Sequence, residues 1–411
     1  MPLSRITGVL RDELERLSME GRAKGKEFVI VDVKKPQGKK GPRFLLKGYG
    51  DREFIRMNSN SYLGMSLKDE IIKIEEEAAR KYGVGPGAVR FISGTYFPHR
   101  ELEKKLAQFH SREDAMIYSA AYVTVIGVIS SLVTDETIII SDELNHNCII
   151  NAIKLSRPKD KFVYKHLDME DLEEKIRNST GRARRLIIVT DGVFSMRGDY
   201  APLHRIAEIV NHYDSNFEEN IITIVDDSHG VGAFGSTGRG TEEMTGAMAD
   251  ILIGTLGKAF GVNGGYVVSN ETLTTYLREK AITYIYSNPI TPAEAACALR
   301  VLEILDSEEG KMRLKHLREL AERFRKGLSE AGYETIASEH PIVPLLVRDT
   351  RRTLDIVKYL LDNGILATGL NYPVVPKGDE TIRFQINADH TDYDIDYVLE
   401  ILRKYRKYRW S

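Results

Sequence analysis

Four short and almost wholly apolar runs set the frame of this chain: TIIISD at 137–142, RLIIVTD at 185–191, NIITIVDD at 220–227 and DILIGTLG at 250–257. Between them lie helical patterns such as DLEEKIRN at 171–178 and PLHRIAEIVNHY at 202–213. A strand that faces water on one side alternates apolar and polar residues. A run without alternation is covered on both faces, as in a parallel sheet flanked by helices. The spacing therefore predicts βαβ units and a doubly wound, mostly parallel sheet of the α/β class. Each run closes on Asp or Gly. Open α/β sheets bind ligands beyond the carboxyl ends of their strands, so these ends mark the candidate site.

The flanks read differently. Ile6, Leu10, Leu14 and Leu17 define one face of an N-terminal helix, and KKPQGKKGPR at 34–43 reads as a solvated basic connector. ELEKKLAQFH at 101–110 reads as a helix. From residue 292 the pattern changes to long charged helices, then the strand patterns HPIVPLLV and TIRFQINA, then a last helix at 391–407. The expected division is an arm and connector at 1–60, a large domain at 61–291 and a smaller C-terminal α+β domain at 292–411.

Residues 115–134, AMIYSAAYVTVIGVISSLVT, carry no charge over a bilayer's length. Five Ser and Thr hydroxyls, with Asp114 and Asp135 immediately outside, favour a buried strand running into a buried helix over membrane insertion. Lys and Arg total 58 against 60 Asp and Glu, which leaves no positive field of the kind that holds nucleic acid. The basic end RKYRKYRW at 403–410 reads as a helix terminus whose cations complement its dipole. Cys148 and Cys297 make neither a disulfide framework nor a CxxC pair. The charged N-terminal segment does not suit a secretory signal, so a cytoplasmic protein is expected.

The chemistry concentrates on a few residues. Lys258 sits in GTLGKAFG at 254–261 after an apolar run, flanked by glycines that admit a bulky group to the backbone. A lysine held there can form a Schiff base with a carbonyl, and Thr255 can offer its hydroxyl to an anion. No Ser or Thr follows Gly-Lys, so this is not a P-loop. In VDDSHGVG at 225–232, Asp226 and His229 stand at a strand-to-loop junction. A carboxylate there suits a protonated pyridine nitrogen, the need of pyridoxal phosphate. No cluster shows metal-ligand spacing, so no metal is expected. His146 in SDELNHNCII has the chemistry to stack on an aromatic cofactor, although a lone histidine is more often structural. The glycine-rich stretches GVGPG at 83–87 and GAFGSTGRG at 232–240 lack a dinucleotide fingerprint.

Together with NSNSYLGMS, RFISGT, HRELE, TDGVFSM and PVVPKG with IRFQ, these motifs resemble the α-oxoamine synthases, pyridoxal phosphate enzymes of fold type I. The resemblance runs from about residue 60 to about 390. It implies a fold-type I transferase in which Lys258 holds the cofactor covalently and moves the substrate proton. It likewise implies Asp226 at the pyridine nitrogen, His229 at the 3-hydroxyl, His146 stacked on the ring, and Thr255 with the Ala120–Ala121–Tyr122 turn at the phosphate. Ser195 is implied beside cofactor and substrate, and Asn60 with Arg383 at the amino-acid carboxylate, where a guanidinium fork is apt. Tyr286 and Ser287 match a segment that reaches the phosphate of a neighbouring subunit, which implies a homodimer with shared sites.

The implied reaction joins an amino acid, glycine first, to an acyl-CoA. RFISGT with HRELE, TDGVFSM, VDDSH and YPVVPKG look nearer to the glycine C-acetyltransferase branch than to the 8-amino-7-oxononanoate synthase branch. Pimeloyl-CoA with L-alanine, or a long acyl chain as in serine palmitoyltransferase, is the alternative. Three places depart from the family pattern: Val123 and Val125 in SAAYVTVIG, Arg197 in GVFSMRGD where an acid is common, and HGVG in place of HAVG or HSVG.

Overall fold

The computed structural model describes residues 3–20, 22–23, 27–372 and 374–409. Pro373 of the PVVPKG motif and Trp410 of the basic end lie outside these residues. The chain forms two compact units, one of residues 60–321 with 337–341, the other of residues up to 59 with 322–336 and 342–411.

The first unit is built on seven strands: β1 Asp114–Tyr118, β2 Thr137–Asp142, β3 Asp160–Tyr164, β4 Arg185–Asp191, β5 Ile221–Asp226, β6 Ile251–Thr255 and β7 Gly265–Ser269. Their order is β1-β7-β6-β5-β4-β2-β3. β2 through β6 pair in parallel, whereas β7 runs antiparallel to both β1 and β6. The expected mostly parallel α/β sheet is present. Ile139, Ile187, Val189, Ile224, Ile253 and Val267, each at most 1% exposed, form one core cluster with the helices Ala121–Leu132 and Asn147–Ser156. Truncating one of these isoleucines to Ala costs about 3 kcal/mol through lost burial and the cavity left behind.

The uncharged segment resolves as β1 followed by the Ala121–Leu132 helix. Val125, Val128 and Ile129 of that helix are fully buried, and Ser130 and Ser131 donate to the Ile126 and Gly127 carbonyls one turn back. The hydroxyls are thus satisfied inside the helix, which explains an uncharged segment with so many of them. No helix among the described residues is long and apolar enough to cross a membrane.

Pro292–Leu305 is a helix opened by a capping box. Glu294 N donates to Thr291 Oγ1 at 3.0 Å and Thr291 N donates to Glu294 Oε2 at 2.8 Å. It packs on the helices Asp69–Tyr82 and Phe97–Phe109 and so belongs to the sheet-bearing unit. The packing units and the sequence division at 60 and 292 are therefore cut differently. The RFISGT and HRELE motifs meet in a buried pair in which Arg90 donates two bonds to Glu103, at 3.1 and 3.2 Å. Glu103 also accepts from Ile117 N, which fastens these helical motifs to β1.

The second unit holds two four-stranded sheets. One joins Ile30–Lys34, Arg43–Leu46 and Glu53–Arg56 to Ile365–Leu366. The other orders Glu334–Thr335, Ile342–Leu346, Thr381–Gln385 and Thr368–Leu370, all antiparallel. The basic stretch at 34–43 joins the first two strands and is exposed as expected only over 34–40; Gly41, Pro42 and Arg43 are buried, with Arg43 paired to Asp394. At the chain start, Ser4–Met19 is helical, with Ile6, Leu10 and Leu14 exposed. In the last helix, Asp392–Arg409, Tyr405 is buried with its hydroxyl on Asp355, and Lys404 pairs with Glu400.

Candidate active site

The polar strand ends converge as the apolar runs suggested. Asp226 ends β5, Asp191 ends β4, and the two are register partners on adjacent parallel strands. Thr255 ends β6, and Lys258 follows in a loop that β7 closes at once, with Leu256 N donating to Gly264 O at 2.9 Å. Gly261 has φ +75°, and a Cβ there would come 2.6 Å from Ser66 N, so glycine lets the lysine loop press on the turn at residues 60–66. At Gly265 a Cβ would meet Ala121 N and Cα at 2.4 Å. This absence of a side chain brings β7 against the start of the Ala121–Leu132 helix.

These elements enclose a cavity of about 270 Å³. Lys258, Asp226, His229, His146, Thr255, Ser195, Ala121 and Tyr122 all line it, which brings together eight of the residues singled out from the sequence. Ala120 is the N-terminal flanking residue of the helix and gives it no side-chain cap. Asn60 is half-buried in the turn that carries Tyr62, where its carbonyl accepts from Tyr62 N at 2.8 Å. Tyr286 is 78% exposed after the short Ile282–Ile285 helix, and neither it nor Ser287 is among the cavity's lining residues. Arg383 lies on Thr381–Gln385 in the other unit.

Four lining residues had no role in the sequence reading: Asp191, Ser228, Cys148 and Val193. Asp191 accepts from His146 N at 3.0 Å. Burial, with Asp226 beside it, holds the Asp191 carboxyl well above the usual carboxylate range. Cys148 lies with its sulfur 2.9 Å from His146 Nδ1 and 3.5 Å from Asp226 Oδ2. Burial and then the Asp226 and Asp191 charges push its thiol far up, so it is a neutral thiol and not a nucleophile. His146 Nδ1 also accepts from Cys148 N. Desolvation lowers the His146 pKa and Lys258 adds to this against the pull of Asp226, so the imidazole is neutral at pH 7.

The departures from the family pattern also find places. Val125 is core, and the Val123 carbonyl accepts from Thr283 Oγ1 at 2.8 Å. Arg197 donates to Asp199 Oδ2 at 2.7 Å, so its charge is spent within its own turn. Asp199 in turn lies 3.3 Å from His166 Nε2, whose Nδ1 is 3.0 Å from Asp142. Burial alone would depress the His166 pKa, but the two carboxylates outweigh it and bring it up to about 9.

The cavity suits a phosphorylated pyridine aldehyde. Ser228 Oγ is buried and makes no hydrogen bond among the described residues, an orphan donor on a residue that lines the cavity. The uncapped first turn at Ala121 presents backbone N–H groups at the positive end of a twelve-residue helix. Asp226 supplies the carboxylate and Lys258 the amine, both on the cavity wall. Thr255 is engaged on both sides, with Oγ1 accepting from Gly257 N and donating to Gly264 O, each at 3.1 Å. No group of three or more metal-ligating side chains occurs among the described residues.

A buried acid, a neutral histidine and a glycine-framed lysine at the ends of a parallel sheet define a cofactor enzyme of the Schiff-base kind. Comparison with known proteins agrees. The family description "Aminotransferase class I and II" matches residues 52–402. The 8-amino-7-oxononanoate synthase of Thermosipho melanesiensis is 42% identical over 358 residues, 87% of this chain and 89% of that protein. The mitochondrial 2-amino-3-ketobutyrate coenzyme A ligase of Bos taurus is 37% identical over 401 residues, 97% and 91% of the two chains. A serine palmitoyltransferase solved with pyridoxal phosphate superposes with a TM-score of 0.87 at 26% identity, covering 98% of each chain. This chain belongs to the class I and II aminotransferase family and, within it, to the α-oxoamine synthases, the pyridoxal-phosphate-dependent acyltransferases.

Proposed function

We propose that this enzyme condenses glycine with a short acyl-CoA, acetyl-CoA first, as a glycine C-acetyltransferase (2-amino-3-ketobutyrate CoA ligase). The observation that carries the chemistry is the meeting of Lys258, Asp226, His229 and His146 on one cavity. When bound, pyridoxal phosphate supplies the electron sink for a carbanion at the amino acid's Cα. Lys258 Nζ takes the Cα proton. The Asp226 carboxylate would pair with the pyridine nitrogen, His146 would lie against the ring, and His229 would serve the 3-oxygen. Ser228 and the N–H groups of Ala121 and Tyr122 would hold the phosphate. Asn60 and Arg383 are assigned to the amino-acid carboxylate by their motifs, and Ser195 to the substrate side. The new carbon–carbon bond forms at the thioester carbonyl as CoA departs through its sulfur, leaving a 2-amino-3-oxo acid.

The glycine reading rests on RFISGT with HRELE, TDGVFSM, VDDSH and the YPVVPKG motif, and on the 2-amino-3-ketobutyrate ligase at 37% identity. The 42% identity to an 8-amino-7-oxononanoate synthase supports a second reading, L-alanine with pimeloyl-CoA. Free-thiol release from a ladder of acyl-CoAs, each offered with glycine, L-alanine or L-serine, tests both. Fastest release with glycine and acetyl-CoA is the expected result; fastest release with L-alanine and pimeloyl-CoA overturns it. A cytoplasmic homodimer, with Tyr286 and Ser287 serving the neighbouring subunit's phosphate, completes the proposal, along with a functional division into arm, large domain and small domain.

A further inference from the structure

Tyr62 belongs to the YLG motif, far in sequence from VDDSHG, yet its hydroxyl lies 2.7 Å from His229 Nδ1. Tyr62 is fully buried. Its ring is fixed by the turn at 60–64, in which Gly64 N donates to Ser61 O at 2.7 Å and Gly64 takes φ +66°. The ring stands edge-on to His340, at 5.4 Å and 83°. His340 Nε2 is 2.9 Å from the His229 carbonyl, an acceptor only, so His340 donates there. His229 is therefore gripped twice, at its backbone by His340 and at its ring by Tyr62.

We propose that Tyr62 is a positioning residue: its buried hydroxyl donates to His229 Nδ1 and so fixes the imidazole as the tautomer with its proton on Nε2. This rests on the reading above, in which His229 meets the cofactor's 3-oxygen. An Nε2–H complements an oxygen that bears negative charge, whereas the opposite tautomer would aim a lone pair at it. Fixing a ligand histidine through its second nitrogen is the same device that orients metal-binding histidines.

The test is histidine-selective ¹⁵N NMR on the full chain, with and without pyridoxal phosphate, the His229 signals being assigned by their loss in His229→Gln. The expected wild-type result is an unprotonated Nδ1 and a protonated Nε2 in both forms. In Tyr62→Phe, the tautomers should mix, pyridoxal phosphate should dissociate about tenfold more readily from the loss of one hydrogen bond, and the pH at which the bound cofactor's absorbance changes should move. A protonated Nδ1 in the wild type overturns the proposal, and so does a Tyr62→Phe protein with unaltered His229 signals. Should Tyr62→Phe fail to fold, the wild-type tautomer alone decides. Condensation that persists in Lys258→Ala would instead overturn the function and leave the tautomer result standing.

Discussion

Asp226 and Asp227 are consecutive, yet they serve two regions that could hardly differ more. Asp226 borders the cavity, where its Oδ1 accepts from Ser228 N at 3.1 Å and its Oδ2 takes a long contact from Cys148. Asp227 is sealed on the other side of the strand end. Thr241 N and Oγ1 donate to its two oxygens at 2.6 and 2.7 Å, and it is wholly buried. A Cβ on Gly192, Gly230 or Gly240 would come within 2.2 Å of its carboxylate oxygens, so three glycines make room for it. Burial drives its pKa up to about 7, against the Thr241 hydrogen bonds. One carboxylate faces a cavity; the other is already satisfied by the chain. Equal burial thus says nothing about role, and the partners do.

Mutations can break that contrast, and the largest effect is expected on the open side. Lys258→Ala should cut acyl transfer by about 10³-fold or more and abolish borohydride fixation of the cofactor, read by thiol release and absorbance. Asp226→Asn should lower the same rate by about 10²-fold with weaker retention of pyridoxal phosphate. Asp227→Ala should cost about 2 kcal/mol of unfolding free energy, because Thr241 loses two acceptors, while the folded enzyme turns over within a few-fold of normal. Urea unfolding beside the thiol assay reads both; a collapsed rate at unchanged stability would erase the distinction between the two aspartates.

The smallest expected effect concerns the loop that carries Ser195. His166 has its pKa raised to about 9 by Asp142 and Asp199 despite its burial. A raised folded-state pKa gives stability that is complete below the ordinary histidine value of about 6.5 and is lost as pH climbs through about 9. Allowing for solvent screening, about 1–2 kcal/mol should vanish across that window. Melting curves from pH 6 to 10 should show the fall, and His166→Gln should flatten it.

The sequence was most readable where burial is two-sided. β2 and β4 coincide with their apolar runs, since a strand covered on both faces carries its burial in every residue. β3, DKFVY, alternates exposure at an edge, and β7, GYVVS, opens on the second of two adjacent glycines, so neither announced itself. The antiparallel strands Ile30–Lys34, Arg43–Leu46 and Glu53–Arg56 owe their state to partners that short windows do not contain. In the site, Lys258 and Asp226 were legible from glycines and strand ends. Asp191 ends its run just as Asp226 does, and the same rule would have found it. Ser228 was hidden within a motif read for its neighbours. Tyr62 was hidden because its partner lies far along the chain, and no spacing encodes that contact.

The antiparallel strand β7 also governs how this protein can be made. β1 has β7 as its hydrogen-bonded neighbour in the sheet, with all of residues 119–264 between them. During synthesis, the first strand of the sheet must wait, edge exposed, until the last has emerged. Such a long closure makes folding slow, and a chain stopped before residue 265 leaves an apolar edge to be guarded by chaperones or lost to aggregation.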